Sequence, residues 1–357
     1  MYLTIHKIGE ERRHINCSSY PPERSSMRVI DLFCGCGGAS SGLAASGATI
    51  IAAFDNDPVQ LAHHHLNHPH ARHVCAELGK RDPVVFGREL AELAGGPFHL
   101  HASPPCTSFS RLNPNATPSE LVVWTVAVIK AAAPLTWSIE NVTRAVRFFK
   151  EMVPELFTDP LVGLFPQVCG WHYGAPVLRR RLFMGVGFDL SIPPQIDPTK
   201  VSLKRFMPYL TDEHYVRDEA TNKCEPANGV RGTGKRRRYR PEVGEILRTV
   251  NLPTYAPRCN GRNQLWRANA DGVGYHSDRI LTVREVATVQ GFSPSWLIPE
   301  RMSYCDVEFH DSVLGDDTTL YHVRSTKASV TVGVGNSVCP PVAEAIGVQA
   351  QVVHSPR

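Results

Sequence analysis

From residue 28 to about residue 187, short apolar runs alternate with longer segments of helical periodicity. Residues 28–33, 49–54, 98–102, 137–140 and 181–186 read as strands, and residues 39–46, 58–66, 84–93 and 117–133 as helices. Thr117 is placed to cap the last of these, with Pro118 at the first helical position and Glu120 able to complete a capping box. Strands alternating with helices predict an α/β fold. Its sheet would be Rossmann-like, doubly wound and mostly parallel, with ligands at the carboxyl ends of the strands. The pattern changes beyond residue 188. Residues 191–276 are rich in proline, glycine, arginine and polar side chains, with little periodicity, and predict a smaller, irregular domain. Helical spacing returns at 281–290 and 338–352. The chain therefore divides into an N-terminal arm (1–27), an α/β domain (28–190), the irregular domain (191–276) and a C-terminal segment (277–357).

A length of 357 residues is more than one ordinary core holds, which agrees with two folded units. With 42% hydrophobic and 20% charged residues, the composition excludes disorder and coiled coil. No apolar stretch approaches the roughly 18 residues of a membrane span. Residues 1–27 are polar and lack the apolar centre of a secretory signal, so a cytoplasmic protein with no membrane partner is expected. Thirty-eight basic against 34 acidic residues leave a formal charge of +4, which permits an acidic partner without requiring one. The sharpest charge run is Lys235-Arg236-Arg237-Arg238-Tyr239-Arg240. The 10 cysteines are irregularly spaced and read as reduced thiols.

Candidate chemistry gathers at the predicted strand ends. Asp31-Leu32-Phe33-Cys34-Gly35-Cys36-Gly37-Gly38 follows a strand and precedes a helix, where glycines let the backbone turn tightly and approach a ligand. Ser40 stands where a dinucleotide fingerprint needs its third glycine, and Asp31 would repel a pyrophosphate. Asp55 closes the second strand, where a carboxylate can grip both hydroxyls of a ribose. Together they suggest an adenosyl ligand that is not a dinucleotide.

Pro104 and Pro105 hold the approach to Cys106 extended, which suits a thiol nucleophile, although a buried structural cysteine is the common role. Glu140 ends another strand at the same edge, where an ion-paired surface carboxylate is the ordinary case. Between Tyr173 and Arg181, an extended chain would point Arg179 and Arg181 together and Arg180 away. Six of the 16 histidines fall between His63 and His73, with Cys34, Cys36 and Cys75 as candidate neighbours. No paired-ligand spacing accompanies them, and His63, His64 and His65 diverge on a helix, so no metal is expected.

Taken in order, these segments resemble the cytosine-C5 DNA methyltransferases, which use S-adenosylmethionine and release S-adenosylhomocysteine. The resemblance runs from Arg28 to about Ile346. It takes in residues 279–292, which look like the family's late structural motif. It also takes in Gly335-Asn336-Ser337-Val338, which looks like its last motif and returns to the cofactor pocket. The resemblance implies that Asp31, Phe33, Gly35, Gly37, Gly38 and Pro104 line the cofactor site. It implies too that Asp55 holds the ribose, Asn56 lies against the adenine and Glu77 accepts from its amino group, while Asn336, Ser337 and Val338 close the pocket. Cys106 would be the nucleophile, Glu140 the acid engaging the base, and Arg179 and Arg181 the anchors of base and acid. Residues 191–276 would be the target recognition domain, with Lys235, Arg236, Arg237, Arg238 and Arg240 on DNA phosphates. The implied partner is double-stranded DNA. The implied setting is a bacterial or phage-encoded monomer, with a cognate restriction endonuclease acting separately.

Two positions depart from the family pattern: Thr107 and Val177 stand where it usually has Gln. Neither supplies a group to the covalent chemistry, though both bear on loop closure and base contacts. Two other readings stay open at this point. A branch of the family methylates tRNA, and a non-catalytic nucleic-acid-binding relative could keep the fold. The long basic stretch before Arg279 favours DNA, and intact Cys106, Glu140, Arg179 and Arg181 favour an enzyme.

Overall fold

The structure is a computed structural model and describes residues 26–105, 120–217, 238–239, 247–255, 264–268, 275–303 and 305–355. Its strands are β1 (Arg28–Leu32), β2 (Thr49–Asp55), β3 (Arg72–Cys75), β4 (Phe98–Ala102), β5 (Thr136–Val142), β6 (Gly163–Cys169), β7 (Val177–Leu178) and β8 (Arg180–Val186). After them come β9 (His214–Arg217), β10 (Arg238–Tyr239), β11 (Leu247–Thr249), β12 (Thr254–Tyr255), β13 (Gln264–Ala268), β14 (Tyr275–Ile280), β15 (Cys305–His310) and β16 (Thr318–Val323). The helices are α1 (Gly38–Ala45), α2 (Pro58–Asn67), α3 (Pro83–Ala94), α4 (Glu120–Ala132), α5 (Ala145–Met152), α6 (Leu203–Phe206), α7 (Val283–Gln290), α8 (Lys327–Asn336) and α9 (Pro340–His354).

Among the described residues, nine strands form one sheet in the order β16-β15-β3-β2-β1-β4-β5-β8-β6. Pairing is parallel from β15 through β5, and antiparallel at β15–β16, β5–β8 and β8–β6. The expected doubly wound, mostly parallel sheet is thus observed, closed at each side by antiparallel strands. Helices cover both faces, as parallel strands require. Leu43 of α1, Val286 of α7, Val334 of α8 and Ile346 of α9 are buried on one face. Phe86 and Leu90 of α3, Val128 of α4 and Phe149 of α5 are buried on the other.

Local chemistry sets the helix bounds. Asp57 accepts from the backbone N–H groups of Val59 and Gln60, and Asp82 from those of Val84 and Val85, each with proline at the next position. Thr282 and Glu285 form a capping box, so α7 begins at Val283 rather than at 281. The last helix begins at Pro340 rather than 338, because Ser337 to Cys339 form a connector between α8 and α9. The proposed cap at Thr117 and Pro118 lies outside the described residues.

Beyond residue 188 the structure is more regular than the sequence suggests. A five-stranded antiparallel sheet, β10-β14-β13-β9-β11, occupies this region and ends at Ile280. Its strands are two to six residues long and polar, too short to show a clear alternation. Strands β3, β6, β15 and β16 and helices α5 and α8 also carried no clear signal in the chain. Residues 1–25 of the predicted arm lie outside the described residues, whereas Met27 is buried in the core.

Candidate active site

Parallel pairing brings the carboxyl ends of β1, β2, β4 and β5 to one edge, and the antiparallel β8 starts there. Leaving β1, Phe33 takes a left-handed φ of 59°, an uncommon conformation for a bulky residue and the kind that clusters at functional turns. Its ring meets Trp124 edge-on at 6.4 Å between centroids. Gly35 also has positive φ, and a Cβ there would meet nothing within 4 Å, so this part of the turn faces open space. Gly38 is constrained by packing instead. A Cβ there would run into the Val338 carbonyl oxygen and lie 2.7 Å from the Ser337 Cβ.

Two carboxylates stand behind this turn. Asp55 accepts from the backbone N–H of Gly35 at 2.8 Å and of Asp57 at 2.9 Å, so it fixes the turn while keeping a lone pair on each oxygen. Burial raises its pKa. Asp31 is fully buried, and its Oδ2 accepts from Ser40 at 2.6 Å. Burial pushes its carboxyl up to about 7, with the Ser40 bond opposing and the charge of Asp55 assisting. Its Oδ1 has no hydrogen-bond partner among the described residues. Asn56 is exposed beyond Asp55, and Glu77, also exposed, pairs with Lys80 at 2.8 Å.

The clustered histidines continue the Asp31 contact inward. Ser40 Oγ bonds His64 Nε2 at 3.0 Å, and His64 Nδ1 bonds His73 Nε2 at 2.8 Å. Burial lowers the pKa values of both rings, and no group of three metal-ligating side chains converges among the described residues.

Glu140 is 7% exposed, and its Oε1 pairs with Arg181 Nε at 3.0 Å. The register explains the pair: Glu140 lies opposite Phe183 and Val142 opposite Arg181, which makes Glu140 and Arg181 diagonal neighbours. Burial raises the pKa of Glu140 against the opposing pull of Arg181 and Arg179. Arg179 is buried between β7 and β8, and its guanidinium donates to the carbonyls of Gly335 at 2.8 Å and Asn336 at 3.0 Å. It thereby ties the arginine segment to the last motif. Arg180 is exposed, as the alternation along the chain indicated.

Ser337 and Val338 reach the glycine turn, and Asn336 before them is exposed. Ser337 Oγ lies 3.0 Å from Cys36 Sγ, and Val338 is buried. Burial pushes the Cys36 thiol up to about 11, so it stays protonated and weakly nucleophilic near neutral pH.

Pro104 is buried, and its carbonyl accepts from Asn141 Nδ2 at 3.0 Å. Cys106 and Thr107 lie outside the described residues, as do Lys235, Arg236, Arg237 and Arg240. The Arg238 backbone belongs to β10. Val177 is fully buried, and β7 pairs with β12, which places this departure from the family pattern in the core.

Asn141 and Gln290 had been given no role. Gln290 donates to the Val334 and Gly335 carbonyls at 3.1 and 3.0 Å, and so fixes the same peptide that Arg179 holds. Gln290 lies inside residues 279–292, and Asn141 directly follows Glu140.

A family profile for C-5 cytosine-specific DNA methylases matches residues 27–351. The chain belongs to this family. Among curated relatives, it is 33% identical to the type II methyltransferase M.XorII of Xanthomonas oryzae over 48% of this chain and 43% of that protein. It is 26% identical to M.NgoPII of Neisseria gonorrhoeae over 77% of this chain and 88% of that one. The match thus spans under half the length of the first relative and most of the second. Two solved structures share the fold. A protein assigned as a DNA modification methyltransferase, encoded within an E. coli prophage, has a TM-score of 0.55 at 21% identity, covering 92% of this chain and 99% of its own. The S. pombe Dnmt2 methyltransferase has a TM-score of 0.52 at 15% identity, covering 92% and 98%.

Proposed function

We propose that this protein transfers a methyl group from S-adenosylmethionine to carbon 5 of a cytosine in double-stranded DNA. The observation that carries the reading is the buried Glu140–Arg181 pair at the same sheet edge as the glycine turn, in a chain of this family. The pocket residues fit the adenosyl sulfonium: open space at Gly35, a buried Asp31 oxygen without a partner among the described residues, and acceptor capacity left on Asp55. Bound there, S-adenosylmethionine supplies an electrophilic methyl carbon. Phe33, Asp55, Asn56, Asn336, Ser337 and Val338 would hold its adenosyl and methionine parts, and Glu77 would have to leave Lys80 to reach the adenine.

Carbon 5 of cytosine is a poor nucleophile until a thiolate adds to C6. Cys106 makes that bond. Glu140 donates its proton, or a hydrogen bond, to ring N3, which its raised pKa favours. Arg181 holds Glu140 in place and presents a fixed, always charged fork of donors to the exocyclic oxygen. After transfer the C5 proton leaves, the C5–C6 double bond re-forms and Cys106 departs. The base must be flipped out of the stack at a cost of roughly a few kcal/mol, which contacts from residues 191–276 offset. The basic run from Lys235 serves the phosphates. Residues 28–190 and 277–357 then form the catalytic domain around that recognition domain, and a separate endonuclease would read the same DNA site.

Incubation with tritiated S-adenosylmethionine and either duplex DNA or tRNA, followed by bisulfite sequencing, tests the reading. Label in duplex DNA at cytosine C5 within one sequence context is expected. Label confined to tRNA would contradict it.

A further inference from the structure

Strands β4 and β5 lie near the middle of the sheet, where parallel pairing usually calls for valine, isoleucine and leucine on both faces. One shared face instead carries His99 and His101 on β4, in register with Thr136 and Ser138 on β5. All four are buried, at 0–1% exposure. Four polar side chains in a sheet centre are costly unless each is satisfied, and these satisfy one another in a single file.

His354 Nε2, near the end of α9, bonds Thr136 Oγ1 at 3.0 Å, and Thr136 bonds His99 Nδ1 at 2.8 Å. His99 Nε2 bonds Ser138 Oγ at 3.0 Å, and Ser138 bonds His101 Nδ1 at 2.8 Å. His101 Nε2 bonds Ser103 Oγ at 2.8 Å. The file therefore runs from half-buried His354 to Ser103, the residue before Pro104, at the edge that carries Glu140.

A neutral imidazole offers one donor and one acceptor, and a hydroxyl has one hydrogen to donate. Each bond in the file needs one hydrogen, and a hydroxyl can also accept from both of its neighbours. Only two arrangements let a proton pass from end to end: every group donates toward His354, or every group donates toward Ser103. Burial lowers the pKa values of both central rings, which keeps them neutral.

We propose that this file is a proton conduit between the active-site edge and solvent at the C-terminal helix, serving the methyl transfer described above and resting on that reading. Each methyl added to C5 releases one proton, as the C5–H bond breaks and its electron pair re-forms the ring double bond. A proton delivered to Ser103 Oγ displaces its hydrogen onto His101 Nε2. His101 passes its Nδ1 hydrogen to Ser138, Ser138 to His99, His99 to Thr136, and Thr136 to His354, which gives a proton to water from its other ring nitrogen. Every group keeps its own proton count. Passage reverses the polarity of the whole file, so its hydroxyls and rings turn back before the next proton leaves; one proton leaves for each methyl added, because the proton Cys106 gives up to form its thiolate is matched by the one it regains on departure.

Nitrogen-15 NMR of labelled histidines tests the conduit without any substrate. His99 and His101 should share one tautomer, both protonated at Nδ1 or both at Nε2; opposite tautomers would mean a broken file and overturn the proposal. Kinetically, Ser138→Ala should slow the elimination that follows methyl transfer, read in a single turnover as tritium released from DNA labelled at cytosine C5, by at least about tenfold and shrink its solvent deuterium isotope effect, with affinities for DNA and S-adenosylhomocysteine unchanged. His354→Ala, at the outer end and away from the sheet centre, should show the same defect, restored by added imidazole. Both variants releasing the C5 tritium at the wild-type rate with the full isotope effect would reduce the file to a structural role. A wild-type protein that methylates no DNA would contradict the function proposed above, while the tautomers would still decide the conduit.

Discussion

Glu140 holds a carboxyl in a place that opposes its charge, with two arginines restoring only part of what burial removes. That balance suits a group that must present a proton to a ring nitrogen. Glu140→Gln keeps the shape but has no acidic proton, so the single-turnover rate should fall about a hundredfold or more while duplex binding persists. An unchanged rate would remove Glu140 from the chemistry. Asp31 shows a different consequence of burial. Its folded pKa of about 7 lies well above the ordinary carboxylate value, so the folded state holds the proton more tightly than the unfolded one. The stability tied to that proton is fully present below the unfolded pKa and is lost as pH rises toward 7. Asp31→Asn cannot ionise. Its melting temperature relative to the wild type should be higher near pH 8 than near pH 5 by at least about 2 °C, read by calorimetry at both pH values. An equal difference at the two pH values would count against a titrating Asp31. Both carboxylates were visible as strand-end acids in the chain. Their charge states were not, because those depend on neighbours such as Ser40 and Arg181 that only the fold brings close.

At the scale of elements, the close approach of α1 to α9 holds the first and last motifs together. Gly42 permits it. A Cβ there would collide with the Pro340 carbonyl oxygen and lie 2.7 Å from the Ala343 Cβ. Alanine is ordinarily the better helix former, yet Gly42→Ala should destabilise the protein by about 1–3 kcal/mol through overpacking. Chemical denaturation reads that loss, and a stabilised variant would show that the helices are not held in contact here. Helix starts were legible where chemistry marks them, as at Asp57-Pro58 and Asp82-Pro83. Strands such as β3 and β6 were not, because β3 has only four residues and β6 carries no clear alternation, and their neighbours in the sheet make them strands. The polar face of β4 and β5 defeats hydrophobic periodicity more directly, since its histidines and hydroxyls are interior only because they pair across the register.

Across the whole molecule, segments spread over some 300 residues meet at one edge, with Cys36 and Ser337 separated by 301 positions and touching. Strand-and-helix alternation predicts the parallel sheet and the edge that binds ligands. It does not predict the return of the last segment, which came from the family resemblance alone; in the structure α9 packs on α1, and Arg179 donates to the Gly335 and Asn336 carbonyls. Covalent addition of Cys106 to cytosine can be trapped on duplex DNA with 5-fluorocytosine at the target position. Fluorine cannot leave C5 as a proton does, so after methyl transfer the protein and DNA should stay joined through heating in detergent. The adduct should require S-adenosylmethionine and should map by peptide mass to Cys106. Cys106→Ser should lose it while still binding DNA, since a hydroxyl is a far weaker nucleophile near neutral pH. Burial keeps the thiol of Cys36 protonated and raises that of Cys34 further. An adduct on either of those cysteines, or no adduct on DNA that carries the recognised site, would contradict the account.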